Sequence, residues 1–111
     1  MSIFTGGVVR LYSGEMIDLG YVPFPNPDVI LHEEEGRKAV LVNLDTGNAI
    51  SLNAMGRFIW EAADGILSVK EIIYAIEQSF SFVPDDISKD VIRLVNILKL
   101  NGFFGMAVEN N

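Results

Sequence analysis

The sequence contains no cysteine, a single histidine and few basic residues. The lack of cysteine excludes disulfides, thiolate metal sites, iron–sulfur ligation and a cysteine nucleophile within this chain. The formal net charge is −7, from 8 Lys and Arg against 15 Asp and Glu. Such a charge repels a phosphate backbone at long range, so generic nucleic-acid binding is disfavoured.

Long hydrophobic runs are missing as well. No run approaches the roughly 20 apolar residues of a membrane helix, and the first residues lack the basic start and apolar stretch of a signal peptide. We therefore expect a cytoplasmic protein with no membrane partner. With 111 residues, of which 50% are hydrophobic, the chain is long enough for one core. Its apolar excess either fills that core or faces a partner.

Motifs that carry catalytic chemistry are also absent. The sequence has no phosphate-binding glycine-rich loop, no histidine-based triad, no metal-ligand cluster and no lysine in an obvious carbonyl-binding motif. His32 falls in a predicted strand, where a solvent-facing or cross-strand role is expected. We predict that the chain is not an enzyme, with no catalytic or metal-ligating residues and no cofactor.

Residues 1–27 are predicted to form an extension ahead of the main domain, residues 28–111. Val8 to Tyr12 and Glu15 to Leu19 flank the turn Ser13-Gly14 and predict a β-hairpin. Tyr21 to Pro27 carries three prolines at alternate positions, which favours an extended, semi-rigid connector. The extension could lie over an edge of the main sheet, or exchange between the subunits of a homodimer.

The main domain begins with three predicted strands, Val29 to Glu33, Arg37 to Leu44 and Asn48 to Leu52, which form an antiparallel meander. The loop before the third strand contains Gly47, which can supply the positive φ of a tight hairpin. The third strand runs directly into a helix for which Asn53 is the predicted cap. Residues 43–60 therefore form the joint between sheet and helices.

Two further helices follow. Ser68 and Glu71 form a capping box for a helix that continues to about Ser79. Asp85 and Asp86 are predicted to cap the third helix, which ends at Gly102. Its core-facing stripe comprises Ile87, Val91, Leu94, Val95 and Leu98. Three more apolar residues lie outside this stripe and predict either a groove or a surface covered by the extension or a dimer partner: Ile92, Ile97 and Leu100.

These elements predict an α+β fold of the winged helix-turn-helix type. A three-stranded antiparallel sheet would pack against three helices, with the N-terminal β-hairpin as an extension. The order of several motifs also resembles the PqqD family, the pyrroloquinoline quinone biosynthesis protein D and related recognition elements. The matching residues are Pro27-Asp28-Val29, Val40 to Gly47, Leu52-Asn53, Ile59-Trp60, Asp64-Gly65, Glu71-Ile72, Asp90-Val91 leading to Leu98, and Asn101-Gly102-Phe103.

The resemblance implies a non-catalytic peptide chaperone. It would bind the leader segment of a ribosomally made precursor peptide and present it to a modifying enzyme, often a radical S-adenosylmethionine (SAM) enzyme. In such proteins the leader adds as a strand to the edge of the third strand, alongside the third helix. The implied peptide-binding residues are Asn48, Ala49, Ile50, Ser51, Leu52, Asp90, Arg93, Leu94 and Ile97. If the amide of Ile50 faces the peptide, proline there would weaken binding.

Two alternatives remain open at this stage. The chain could be a winged-helix DNA-binding or transcription-associated protein that uses Lys89, Arg93 and Lys99 as basic contacts, although three cations in an acidic chain make a small footprint. It could also be an interaction subunit whose apolar groove docks on an enzyme instead of a peptide.

Overall fold

The computed structural model describes residues 4–7, for which only the backbone is considered, together with residues 17–33 and 39–105. These ranges contain an antiparallel sheet and three helices, which confirms the predicted α+β fold class. The strands are β1 (Phe4–Gly7), β2 (Val29–Glu33), β3 (Ala39–Asn43) and β4 (Ala49–Leu52). The helices are α1 (Ala54–Ala62), α2 (Val69–Ser79) and α3 (Ile87–Leu100).

The sheet has the order β1-β4-β3-β2 and is antiparallel throughout. Strands β2, β3 and β4 form the predicted meander, and Gly47 has the expected positive φ of 82° in the loop before β4. Strand β1, which lies ahead of the predicted hairpin, adds a fourth strand to the outer edge of β4. Residues 8–16, which hold most of the predicted N-terminal hairpin, lie outside the described residues.

The caps of α1 and α2 follow the sequence closely. The Asn53 side chain accepts a hydrogen bond from the amide of Gly56 at 2.9 Å. Ser68 and Glu71 form both bonds of the capping box. Helix α3 differs, because Asp86 occupies the cap position but makes no side-chain capping hydrogen bond. The predicted side-chain cap of α3 was therefore wrong, although the helix begins where expected.

One core lies between the sheet and the helices. Strand β4 contributes Ile50 and Leu52, and all five predicted stripe residues of α3 are buried in the same cluster. Ile97 is buried too, whereas Leu100 at the end of the helix is 41% exposed. Across the described ranges, no helix combines the length and hydrophobicity that a membrane crossing demands.

Residues 17–27, which include the predicted connector Tyr21 to Pro27, are hydrogen-bonded to the helices. The first two amides of α2, Val69 and Lys70, donate to the carbonyls of Tyr21 and Leu19 at 2.8 and 3.0 Å. Helix N-termini leave such amides without partners inside the helix, so this segment completes the α2 cap. Further bonds join it to residues beyond α1 and α3: Gly65 N to Pro23 O, Asn26 N to Phe103 O and Gly105 N to Phe24 O.

Candidate functional site

Strand β4 has two edges with different roles. The amide of Asn43 donates to the carbonyl of Asn48 at 2.8 Å, which fixes the hydrogen-bonding phase of the β3–β4 ladder. Because hydrogen-bonded and non-hydrogen-bonded pairs alternate along an antiparallel ladder, Ile50 and Leu52 direct their backbone groups toward β3. The backbone groups of Ala49 and Ser51 therefore point to the outer edge.

That outer edge is where β1 pairs. Phe4 lies opposite Leu52, and Gly7 lies opposite Ile50, with a shift of register between the two pairs. Two residues of β1, Thr5 and Gly6, consequently stand opposite the single residue Ser51. This two-against-one count defines a β-bulge, which interrupts a ladder and leaves one residue without a regular partner.

The side chains of β4 alternate as the sequence predicts. Ile50 and Leu52 are each 1% exposed and lie in the core, while Ala49 and Ser51 are half-buried on the opposite face. This geometry corrects the assumption about Ile50, whose amide faces β3 and not an added strand. Asn48, just before β4, donates from its side-chain amide to the carbonyl of Asn101 at 3.3 Å and ties β4 to the end of α3.

The four predicted residues of α3 fall into two environments. Leu94 and Ile97 are buried in the core cluster, and the Arg93 side chain is exposed. Asp90 is only 6% exposed, and its Oδ1 lies 3.7 Å from Nη1 of Arg93. Within the part of the chain that is described, Oδ2 of Asp90 is buried and has no hydrogen-bond partner. An unsatisfied buried carboxylate oxygen is costly, which makes Asp90 unusual in this fold.

The other charged contacts bear on the DNA-binding alternative. Nζ of Lys99 lies 4.9 Å from the ring centre of Tyr21, and partial burial raises the pKa of that phenol. Arg93 is paired with Asp90, so two of the three proposed basic contacts have partners within the protein.

Arg57 pairs with Glu61 at 3.2 Å and also with Glu33. The hydrogen bond to Glu61 is the main reason that the pKa of Arg57 is raised.

The described residues also bear on metal chemistry. Residues 17–33 and 39–105 contain no group of three or more histidine, aspartate or glutamate side chains that could hold a metal ion. The geometry of the site therefore rests on two features: the outward backbone groups of Ala49 and Ser51, and the Asp90–Arg93 pair.

Comparison with known proteins identifies the family. The family model described as "Coenzyme PQQ synthesis protein D (PqqD)" matches residues 38–103, which is more than half of the chain. The chain belongs to the PqqD family. This assignment confirms the resemblance seen in the sequence, and it agrees with the prediction of a non-catalytic protein.

A solved structure shares the PqqD-type fold of this chain. It is described as "TbiB1 in Complex with the TbiA(beta) Leader Peptide", and it superposes with a TM-score of 0.62 at 21% sequence identity. The match covers 78% of this chain and 99% of TbiB1. No curated protein matches the sequence significantly.

Strand β1 is the part of the site that the sequence did not predict. Phe4 and Thr5 favour a strand, but Gly6 and Gly7 do not, and four residues are too few for a periodic pattern. The only local signal is an aromatic and a β-branched residue before the glycine pair. Its place in the sheet depends on the edge of β4, which is distant in sequence.

Proposed function

We propose that this protein is a non-catalytic peptide chaperone of a peptide-modification pathway. It binds the leader segment of a ribosomally made precursor peptide by β-strand addition and presents the peptide to a modifying enzyme, a radical SAM enzyme. The observation that carries the proposal is the outer edge of β4, which accepts an added antiparallel strand. Membership of the PqqD family and the fold shared with TbiB1, a protein solved with a leader peptide, support it.

The proposed contacts divide the predicted site residues by role. Ala49 and Ser51 pair with the leader through their backbone groups, which gives affinity that tolerates different leader sequences. Ile50, Leu52, Leu94 and Ile97 form the buried layer that holds this edge in place. Asn48 fixes the start of β4 against α3. We expect a winged helix-turn-helix arrangement to place α3 beside the bound strand.

Asp90 and Arg93 supply the selectivity in this proposal. Asp90, Arg93 and Ile97 are three, four and seven residues apart and so share one face of α3. Among the described residues, Oδ2 of Asp90 is buried and has no hydrogen-bond partner. An amide or a basic side chain of the leader that reached it on binding would satisfy this acceptor. Arg93 would meet an acidic side chain nearby at the surface.

The proposal is tested by direct binding. Fluorescein-labelled leader peptides, made to match any short precursor genes found beside the gene for this chain, would be titrated with the protein and followed by anisotropy. We expect saturable binding of one leader, and no binding of a scrambled peptide of the same composition. If no neighbouring leader binds at protein concentrations up to millimolar, the proposal is contradicted.

The enzyme partner needs a separate experiment. We place the complex in the cytoplasm, where the precursor is made, and expect a radical SAM enzyme that acts on the bound precursor to modify it faster when this chain is present. An unchanged rate on addition of the chain, despite leader binding, would remove the presentation step from the proposal.

A further inference from the structure

We infer that β1 is an intramolecular competitor for the leader-binding edge, so that a leader must displace residues 4–7 before it can pair with β4. The inference rests on the proposed function. Strand β1 occupies the outer edge of β4, and it is antiparallel to that strand. A sheet edge offers one set of outward backbone groups, those of Ala49 and Ser51 here, so β1 and a leader strand cannot both pair with it.

The composition of β1 favours weak pairing with β4, so that a leader can displace it. It has only four residues, and two of them are Gly6 and Gly7. Glycine weakens a strand because it loses the most conformational entropy on ordering and has no side chain to pack. The bulge opposite Ser51 further reduces the regular ladder.

The outer edge of β4 is paired with a strand both before and after the leader replaces β1. In the free protein, β1 lies along the outer edge of β4 from Leu52 to Ile50, so a sheet edge that would pair with other chains is covered. In the complex, the leader strand takes over the same pairing. Pairing with β1 therefore protects the edge of β4, and it also lowers the affinity of the protein for the leader.

Residues 19–26 stay attached to the rest of the domain during exchange. Residues 19–26 are fixed by hydrogen bonds to α2, to the loop after α1 and to the end of α3. Displacement of β1 therefore breaks none of these hydrogen bonds. The tether keeps β1 close to the edge at a high effective concentration, so it rebinds when the leader departs.

A reversible covalent lock tests the inference. Thr5 and Ser51 lie next to the paired residues Phe4 and Leu52. Facing residues of neighbouring antiparallel strands have Cα atoms about 4.5 to 5.5 Å apart, within the range of a disulfide. The chain has no native cysteine, so the pair Thr5→Cys and Ser51→Cys would form a disulfide between β1 and β4 without competing thiols. We expect the oxidised protein to lose leader binding, and the reduced protein to regain it. The single variant Thr5→Cys, with and without reductant, is the matched control.

The proline variant Thr5→Pro tests the same point without a crosslink. Removal of the amide should weaken β1 and raise leader affinity, by about tenfold if β1 covers the edge roughly nine-tenths of the time. A labelled peptide of residues 1–12 of this chain serves as a second probe. It should bind Thr5→Pro more tightly than the unmodified protein, because the edge is open in the variant.

The outcomes separate the inference from the proposed function. Equal leader affinity in the oxidised, reduced and Thr5→Pro proteins would overturn the competition while leaving leader binding intact. Failure of every form to bind a leader would overturn both. A disulfide that links two chains on a non-reducing gel would show that β1 pairs with a second copy, and would overturn the intramolecular assignment.

Discussion

The two edges of β4 differ in what they are built to do. The inner edge, formed by the backbone of Ile50 and Leu52, pairs with β3 in regular register, and the same residues place their side chains in the core. The outer edge, formed by Ala49 and Ser51, pairs with a four-residue strand that contains a bulge and two glycines. Strand β4 thus takes part in a permanent ladder with β3 and in an exchangeable ladder with β1. The two ladders use different residues of β4, because backbone groups alternate in direction along a strand.

Among these predictions, a substitution at the inner edge of β4 has the largest expected effect, which is on the unfolding free energy. Ile50→Pro removes a donor from the β3–β4 ladder and a buried side chain from the core, so we expect a loss of unfolding free energy of about 3 kcal/mol or more. Urea denaturation followed by circular dichroism measures it. Stability equal to that of Ser51→Pro would show that the inner and outer edges are not distinct.

The outer edge should separate binding from folding. Ser51→Pro removes an amide that faces both β1 and the leader, so weaker competition from β1 offsets part of the lost pairing, and we expect a net loss of leader affinity of about a few-fold. The unfolding free energy should fall much less than in Ile50→Pro. Ser51→Val is the matched control, since it changes the side chain but keeps the amide, and it should bind the leader normally. Equal loss of affinity in both variants would point to the side chain instead.

Substitution of Asp90, in α3, should have opposite effects on stability and on leader binding. Asp90→Asn removes a buried charge, so we expect the free protein to be unchanged or more stable, by up to about 1 kcal/mol. Leader affinity should fall several-fold, because a charged acceptor binds a donor more strongly than a neutral one. Thermal unfolding and anisotropy measure the two quantities. A parallel fall of both would indicate a structural role only.

Substitution of Arg93, the exposed partner of Asp90, has the smallest expected effect, which is on leader affinity. Arg93→Glu should reduce affinity for an acidic leader by a few tenths of a kcal/mol to about 1 kcal/mol, and the loss should fade at high salt because exposed charge pairs are screened. Titration of the leader at low and high ionic strength tests this. A loss that is independent of salt would mean that the variant has disturbed the fold around Asp90.

Sequence patterns were sufficient where the determinants are local. Ser68 and Glu71 lie three residues apart and fix the start of α2, and Asn53 does the same for α1. The buried stripe of α3 follows from its period alone. Because these signals involve neighbours in the chain, the meander, the three helices and the family resemblance could all be predicted from the sequence.

The remaining features depend on contacts between distant residues. Whether Ile50 or Ser51 presents its amide to the outer edge is set by the β3–β4 register, which the bond from Asn43 to Asn48 reveals. The carbonyls of Leu19 and Tyr21 cap α2 although three strands and α1 separate them from that helix in the chain, and the prolines after Tyr21 predict only an extended chain. Strand β1 carries two glycines, so its pairing is decided by the edge that it covers.

The central claim is that the leader takes the place of β1 on the outer edge of β4, and one measurement tests it most directly. Isotope-edited nuclear Overhauser effects would be recorded between an unlabelled leader peptide and ¹⁵N,¹³C-labelled protein. We predict cross-strand contacts between the leader and Ala49 and Ser51, together with loss of the contacts between β1 and β4. Leader contacts at Leu31 on the opposite edge of the sheet, with the β1–β4 contacts intact, would contradict the account.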